Sequence, residues 1–496
     1  MPDGKPNILL IMTDQHRLSA LGAYGETPCL TPNLDALASE GTLFENAYTV
    51  CPVCSPARGT IMTGKYPHGH GITANLHEIG CNVSELPDSP ELLSRRLESV
   101  GYSLGYSGKW HLGTNLLKNR FGGENIPCLP KNVGFEGQNF PGHGGGGFGY
   151  PEYHEYLREH GFTHEVLPWD EKTKMVWPAG KLSGPVESTV PYFLAENTIR
   201  MMDDFSTRGK PFFIWHNFWG PHGPFYAPGE FIDIYCNIEI PPWPNYQWPA
   251  RAIAGPHHAK IHPQQEELRW RDWEMTIRYY YAFTTLIDRQ IGRIMAHLRE
   301  KGLLENTVVI FTADHGKTLG SHGGLTDKGW HHFEETHHIP FIMRMPGAQK
   351  AARRIDKLIS LADVYPTILK LAGSNVPEGG HGASLLPVID GKCSDDWREY
   401  VVTEFNGLAN SLITQRTLRC GDWKYGFNNS GEDELYNLAI DPWEMKNIIN
   451  DPSVEKQLTE LMKHLLTWME ETNDPVINRF KFLRHQKLGI ETRATV

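Results

Sequence analysis

Three continuous apolar runs stand out along this chain, and each ends in polar residues. They are Asn7 to Thr13 (NILLIMT, followed by Asp14-Gln15), Lys210 to Phe218 (KPFFIWHNF, leading to His222 in GPHGP) and Asn306 to Ala313 (NTVVIFTA, followed by Asp314-His315). Unbroken runs of strand length predict strands buried on both faces of an α/β sheet, which deliver functional groups at their carboxyl ends. A fourth segment, YSLGYSGKWHLG, predicts a strand whose alternation turns Lys109 and His111 to one side.

Between these runs the period changes to that of helices. Thr31-Pro32 opens one with Leu34, Leu37 and Ala38 on a face and Gly41 at its end, and Ser89 to Ser99 predicts another, closed by Gly101. From Trp270 to Lys301, Trp273, Ile277, Tyr280, Thr284, Ile287, Ile291, Ile294 and Leu298 recur at steps of three and four before Gly302. Such a stripe is core packing.

After about residue 375 the texture becomes short alternating strands (REYVVTEF, TLRCGDWKYGF, ELYNL) with a turn at Asn428-Asn429 and an amphipathic helix from Ser453 to about Glu471. The expected division is therefore a large α/β domain over residues 1–374 and a smaller antiparallel subdomain over 375–496, with 474–496 as a tail.

Composition narrows the classes. With 496 residues, 40% hydrophobic and 11% aromatic, the chain can bury a large core. A net charge of −11 without long basic runs argues against nucleic acid, so an anionic substrate must be met by a local positive cluster. No window approaches the roughly 18 uninterrupted apolar residues of a membrane span. MPDGKPNILLIMTDQ carries no charged-then-apolar leader, so the chain as written reads as cytoplasmic, or as secreted or periplasmic if a leader was removed. Eight irregularly spaced cysteines make no disulfide framework. Residues 122–188, rich in Gly, Pro and aromatics, predict an irregular rim; the GxGxxG spacing inside GHGGGGFG (142–149) lacks a preceding strand and is not read as a dinucleotide site.

The chemistry centres on CPVCSPARGTIMTG, residues 51–64. Pro56 and the helical run after it place the Cys54 sulfur at a helix start, where free N–H groups and the dipole favour negative charge, with Arg58 a turn further on. That is a place for a nucleophile facing an anion. A buried structural thiol is the plain alternative; a CxxC pair with Cys51 is another, though no second CxxC exists for zinc. Asp14, Asp314 and His315, with Gln15 as a fourth, offer mainly hard oxygen donors that suit Ca²⁺ or Mg²⁺. They converge only if their strands are neighbours in one sheet. The tract His331-His332-Phe-Glu-Glu-Thr-His337-His338 lacks HExxH spacing, so His332 is expected to line a substrate pocket.

NILLIMTDQ, CSPAR, GKWHLG, PHGP and TADHG-x-x-LGSHG together resemble, in order and spacing, the motifs of type I sulfatases of the alkaline-phosphatase-like superfamily. The resemblance implies a large mixed, mainly parallel sheet flanked by helices, with a smaller C-terminal antiparallel sheet. It also implies hydrolysis of a sulfate ester of an organic or carbohydrate alcohol. By it, Cys54 is converted by a maturation enzyme to formylglycine, whose gem-diol sits on a divalent metal held by Asp14, Gln15, Cys54, Asp314 and His315, with Ca²⁺ ahead of Mg²⁺. One hydroxyl attacks sulfur and the second is deprotonated to expel sulfate. Arg58 and Lys109 supply charge, His111 takes the elimination proton, and His222 and Lys328 lie on the leaving-group side. Asn75, 21 residues after Cys54, matches an Asn of the phosphonate monoester hydrolases, which also use formylglycine and are the nearer alternative. A non-catalytic anion-binding protein with unmodified Cys54 is the other. The family frequently has Ser at Ala57 and a second Asp at Gln15.

Overall fold

The structure is a computed structural model that describes residues 4–114, 124, 126–167, 176–246, 268–347, 352–392, 397–409 and 411–490. Its main sheet is built from β1 (Asn7–Asp14), β2 (Thr42–Tyr48), β3 (Ser103–Gly108), β4 (Glu136–Gly137), β5 (Phe212–Pro221), β6 (Thr307–Ala313), β7 (His338–Ile339), β8 (Phe341–Arg344) and β9 (Arg353–Ser360). The order is β7-β2-β8-β6-β1-β5-β3-β4, with β9 also on β2. Strands β6, β1, β5, β3 and β4 run parallel, and β8 is antiparallel to both neighbours. The three apolar runs are thus the three adjacent strands at the sheet's centre.

Both faces of β1 are covered, which explains its unbroken hydrophobicity. Ile8, Leu10 and Met12 enter one core with Ala57 and Ile61 of α2 (Cys54–Thr63), while Leu9 and Ile11 enter the other with Leu34 and Leu37 of α1 (Pro32–Ser39). The long stripe forms a helix over Trp270–Glu300, stopped at Gly302 with φ +66°, and its buried face belongs to this second core.

Four strands, β10 (Tyr400–Phe405), β11 (Gln415–Cys420), β12 (Trp423–Asn428) and β13 (Glu434–Asn437), form a separate antiparallel sheet in that order. It is fastened to the segment before α2: the Glu404 amide donates to the Val50 carbonyl (2.8 Å) and the Thr403 hydroxyl to Thr49 O (2.6 Å).

Several expectations change. The helix expected from Ser89 begins at Leu93, because Ser89 Oγ accepts the Glu91 amide (3.1 Å) and Leu92 is extended, a local bond that competes with helix formation. The strand expected through residue 113 stops at Gly108, so alternation does not place Lys109 and His111; His111 sits at φ +54° in a turn beyond it. Helices Pro151–Glu159 and Val190–Ser206 were not foreseen. Parts of the expected rim, 122–123, 125 and 168–175, lie outside the described residues. The expected tail contains a helix, Ile477–Leu488, held by the fully buried Phe480 edge-on to Phe427 at 5.0 Å and by Arg484 on Asp433. Its weak amphipathicity hid it, since one ring does most of the docking. Residues 491–496 lie outside the described residues.

Replacing that ring tests the docking. Phe480→Ala should lower unfolding free energy by about 3 kcal/mol, the order expected for emptying a buried aromatic site. Urea denaturation measures it, and a change under about 1 kcal/mol would mean the helix is not part of the cooperative unit.

Candidate active site

The register of the central strands builds the site. Asn7 pairs with Thr307 and Thr13 with Ala313, so β1 and β6 end level and present Asp14 and Asp314 side by side. On the other side of β1, β5 runs on to Pro221 and hands the chain to His222, while β3 stops at Gly108, one residue before Lys109.

Helix α2 begins at Cys54 and is buried from Cys54 to Met62. No side chain at its N-cap, Val53, closes the first turn; Asn75 Oδ1 instead accepts the Ser55 amide at 3.3 Å, and Asn75 Nδ2 donates to Glu78 (3.0 Å). Asn75, the position that matches an Asn of the phosphonate monoester hydrolases and is read from that resemblance as substrate-binding, is thereby placed at the nucleophile's own helix end. The Cys54 sulfur lies 3.0 Å from Lys328 Nζ, 3.4 Å from His315 Nε2 and 3.9 Å from Asp14 Oδ1. One turn on, Arg58 donates from Nη2 to Asp14 Oδ2 (3.0 Å) and Asp314 Oδ2 (3.1 Å), and from Nη1 to the Lys109 carbonyl (2.8 Å) and Asn217 Oδ1 (2.9 Å). Lys109 Nζ donates to Asp14 Oδ2 at 2.6 Å.

These groups have almost no contact with solvent, so each reads its neighbours' charge at low dielectric. Burial alone would raise the Asp14 carboxyl, but Lys109, His222, Arg58 and Lys328 outweigh it and hold it well below the usual range. Burial and the neighbouring Asp14 raise Asp314. Burial and Asp14 push the Cys54 thiol up, yet Lys109, Lys328 and His315 more than reverse this and leave it at about 6. Burial, then Lys109, drives His111 down toward the neutral imidazole, and burial with Lys328 does the same to His222.

The donors fit a hard divalent cation. One ligating atom each from Asp14, Cys54, Asp314 and His315 lie within 4.8 Å of one another, all four residues buried. Two carboxylates and an imidazole are donors that a divalent cation accepts, and the fourth, the Cys54 sulfur, is the softest of the set. Gln15 adjoins this group, its amide donating to Asp314 Oδ1 (3.0 Å), while its side-chain Oε1 accepts from Lys317 Nζ (3.1 Å) and its Nε2 donates to Asp327. Its carboxamide is held by an ion pair that the sequence did not announce.

His332 is not brought to the site. Its ring is buried against the C-terminal sheet, with Nδ1 bonded to Thr417 Oγ1 and Nε2 to Asn428 Oδ1 (3.1 Å), under Gly426, so the expected pocket lining is corrected to sheet packing. The residues that were expected and do converge are Asp14, Cys54, Arg58, Asn75, Lys109, His111, His222, Asp314, His315 and Lys328. Four more had been passed over. Asn217 anchors Arg58, Lys317 lies 4.1 Å over the Trp177 ring, Asp327 pairs with Lys317 (3.6 Å), and His143 sits between His111 and His222. Buried polar residues inside an apolar strand run, as Asn217 is, were the available signal.

A nucleophile at a helix start, two carboxylates at neighbouring strand ends and three surrounding cations define a hydrolase of anionic esters on an alkaline-phosphatase-like α/β sheet. The chain belongs to the sulfatase family: the Sulfatase family model matches residues 6–374, and the model for the C-terminal part of N-sulphoglucosamine sulphohydrolase matches 320–471. It is a sulfuric ester hydrolase. The uncharacterized sulfatase YidJ of Escherichia coli is 29% identical over 484 residues, covering 95% of this chain and 88% of that protein. An N-acetylglucosamine-6-O-sulfatase of Bacteroides thetaiotaomicron is 29% identical over 520 residues, covering 95% and 88%. Among solved structures, the phosphonate monoester hydrolase of Agrobacterium radiobacter superposes with TM-score 0.78 at 25% identity, over 94% of this chain and 96% of that one.

Two substitutions separate catalysis from scaffolding. Cys54→Ala should abolish turnover and leave unfolding within about 1 kcal/mol of the parent. Arg58→Met, which strands two buried carboxylates, should cost about 3–5 kcal/mol in stability as well as activity. Both quantities are read on the same samples; equal stability losses would remove the distinction drawn between them.

Proposed function

We propose that the chain hydrolyses the sulfate ester of a carbohydrate or similar organic alcohol, with Cys54 matured to formylglycine by a dedicated modifying enzyme and one Ca²⁺ held by Asp14, Asp314, His315 and residue 54. The observation that carries it is the packing of the Cys54 sulfur against Lys328, His315 and Asp14 at the head of α2. When bound and matured, the cation and the formylglycine supply an activated hydroxyl nucleophile.

The chain's own groups do the rest. Arg58 and Lys109 balance the carboxylates and leave positive potential for sulfate oxygens, a preorganised field that needs no rearrangement during reaction. His111, 3% exposed, has both ring nitrogens unpartnered among the described residues, so a neutral imidazole is available there to take a proton. His222 donates its Nδ1–H to the Gly223 carbonyl at 2.7 Å, so Nε2 faces the leaving oxygen and passes it a proton from the imidazolium form, which the negative charge of a bound sulfate ester favours against burial and Lys328. Lys328, against the sulfur, stabilises negative charge on whatever residue 54 becomes. The N-acetylglucosamine-6-O-sulfatase relative supports a sugar substrate.

A second reading, phosphonate monoester hydrolysis, is favoured by the TM-score of 0.78 to the Agrobacterium radiobacter enzyme and by Asn75. Against it stands the Lys109 and His111 pair, an ammonium and an imidazole close to the transferring group.

Mass spectrometry of the peptide containing Cys54 should find formylglycine, and protein purified without chelator should carry one calcium per chain; an unmodified cysteine throughout, or stoichiometric zinc, would refute the respective claim. Phenyl sulfate should be hydrolysed with higher kcat/KM than the matching phenyl phosphonate. A tenfold preference for the phosphonate, about 1.4 kcal/mol in transition-state binding, would hand the site to the second reading.

A further inference from the structure

His143 belongs to no motif of the chain, yet the fold carries it into the site. It precedes Gly144–Gly147, whose φ values of +67°, +54°, +76° and +91° lie in the left-handed region open to glycine. That tight turn presses close to its neighbours: a Cβ at Gly144 would come within 2.9 Å of the Trp219 ring, and one at Gly147 within 2.5 Å of Val190 Cγ1. Trp219 Nε1 also donates to the His143 carbonyl. The backbone is pinned, and the side chain goes where it points.

The imidazole sits edge-on to His111 at 5.2 Å and to His222 at 4.9 Å, between the two histidines assigned to proton transfer. The ring is half-buried, and no described residue hydrogen-bonds either of its nitrogens. Arg58 and Lys109 reach the carboxylates beside Cys54, and His143, between His111 and His222, abuts the histidine assigned to the departing alcohol. Trp177, 6.3 Å from His222, stands on that side too.

Lys109 first, and burial after it, hold the His143 imidazole neutral. A neutral imidazole offers one donor and one acceptor, and a hydroxyl offers the same pair in return. An aryl group would leave both nitrogens unpaired, and a second anion would use only the donor.

We infer that His143 is a specificity-determining residue whose imidazole hydrogen-bonds a hydroxyl of the leaving alcohol close to the scissile ester, so that the preferred alcohol is polyhydroxylated, as a sugar ring is. This rests on the sulfatase reading above and on His222 lying at the leaving group.

The test compares 4-nitrophenyl sulfate with the 2-, 3-, 4- and 6-sulfates of glucose, in the parent enzyme and in His143→Ala. The ratio of kcat/KM for the best sugar sulfate to that for the aryl sulfate should fall at least about tenfold in His143→Ala, one hydrogen bond's worth of discrimination. His143→Asn, which keeps a donor and an acceptor, should restore part of the ratio. A deoxy analogue of that sugar sulfate, lacking the hydroxyl nearest the ester, should lose at least about tenfold with the parent and less than about threefold with His143→Ala, the signature of a direct pair. An unchanged ratio in His143→Ala, or a parent that cleaves the aryl sulfate but none of the sugar sulfates, overturns the inference and leaves the sulfatase reading intact. A parent that cleaves no sulfate at all overturns that reading, and this one with it.

Discussion

Asp14 and Asp314 are like charges placed side by side without water, because two parallel strands in register end at the same level. Such a pair is stable only if cations come to it, and Arg58 does so by reaching both carboxylates from one turn inside α2. The consequence is positional. Wherever the guanidinium must sit to bridge the strand ends, the first residue of its helix must sit about one turn away, and that residue is Cys54. Charge compensation therefore sets the nucleophile's place, and Lys109, also on Asp14, brings the end of β3 into the same arrangement.

A helix carrying an Arg, a Ser and a Thr can be buried on all sides only if its surroundings are built for it. The C-terminal sheet supplies one wall, through its hydrogen bonds to Thr49 and Val50 just before α2. Just after α2, His68 Nδ1 bonds Glu404 at 2.8 Å, and the buried Arg416 joins Glu404 (3.4 Å) to Asp474 (2.6 Å). These ion pairs link the nucleophile segment, the second sheet and the final helices. Rigid support of this kind keeps reacting groups in place, which contributes more to rate than any added contact to the ground-state substrate.

The rim follows a different rule. His143, His222 and Lys328 come from loops between elements, the segments that vary most readily while the scaffold stays put. The sulfur-facing groups define the reaction class; the loop-borne groups face the alcohol and so decide which ester is taken. That division suits a family in which the relatives' names span different sulfate esters on one fold.

What the chain alone determined was whatever depends on neighbours in sequence. Continuous apolar runs identified β1, β5 and β6, the three-and-four stripe identified the long helix nearly to the residue, and the short motifs carried the nucleophile, the carboxylates and most of the cations. Tertiary structure decided whatever depends on distant partners. The partners of the Gln15 carboxamide, Lys317 and Asp327, lie some three hundred residues on, and His332 looked like pocket lining until Thr417 and Asn428, nearly a hundred residues on, took its ring. His143 had no motif to announce it, because its place comes from a glycine turn clamped on Trp219. For Gln15 and His332 the physical reason is the same: a buried polar side chain is satisfied by whichever group the fold brings within about 3 Å, and local sequence carries no record of that partner.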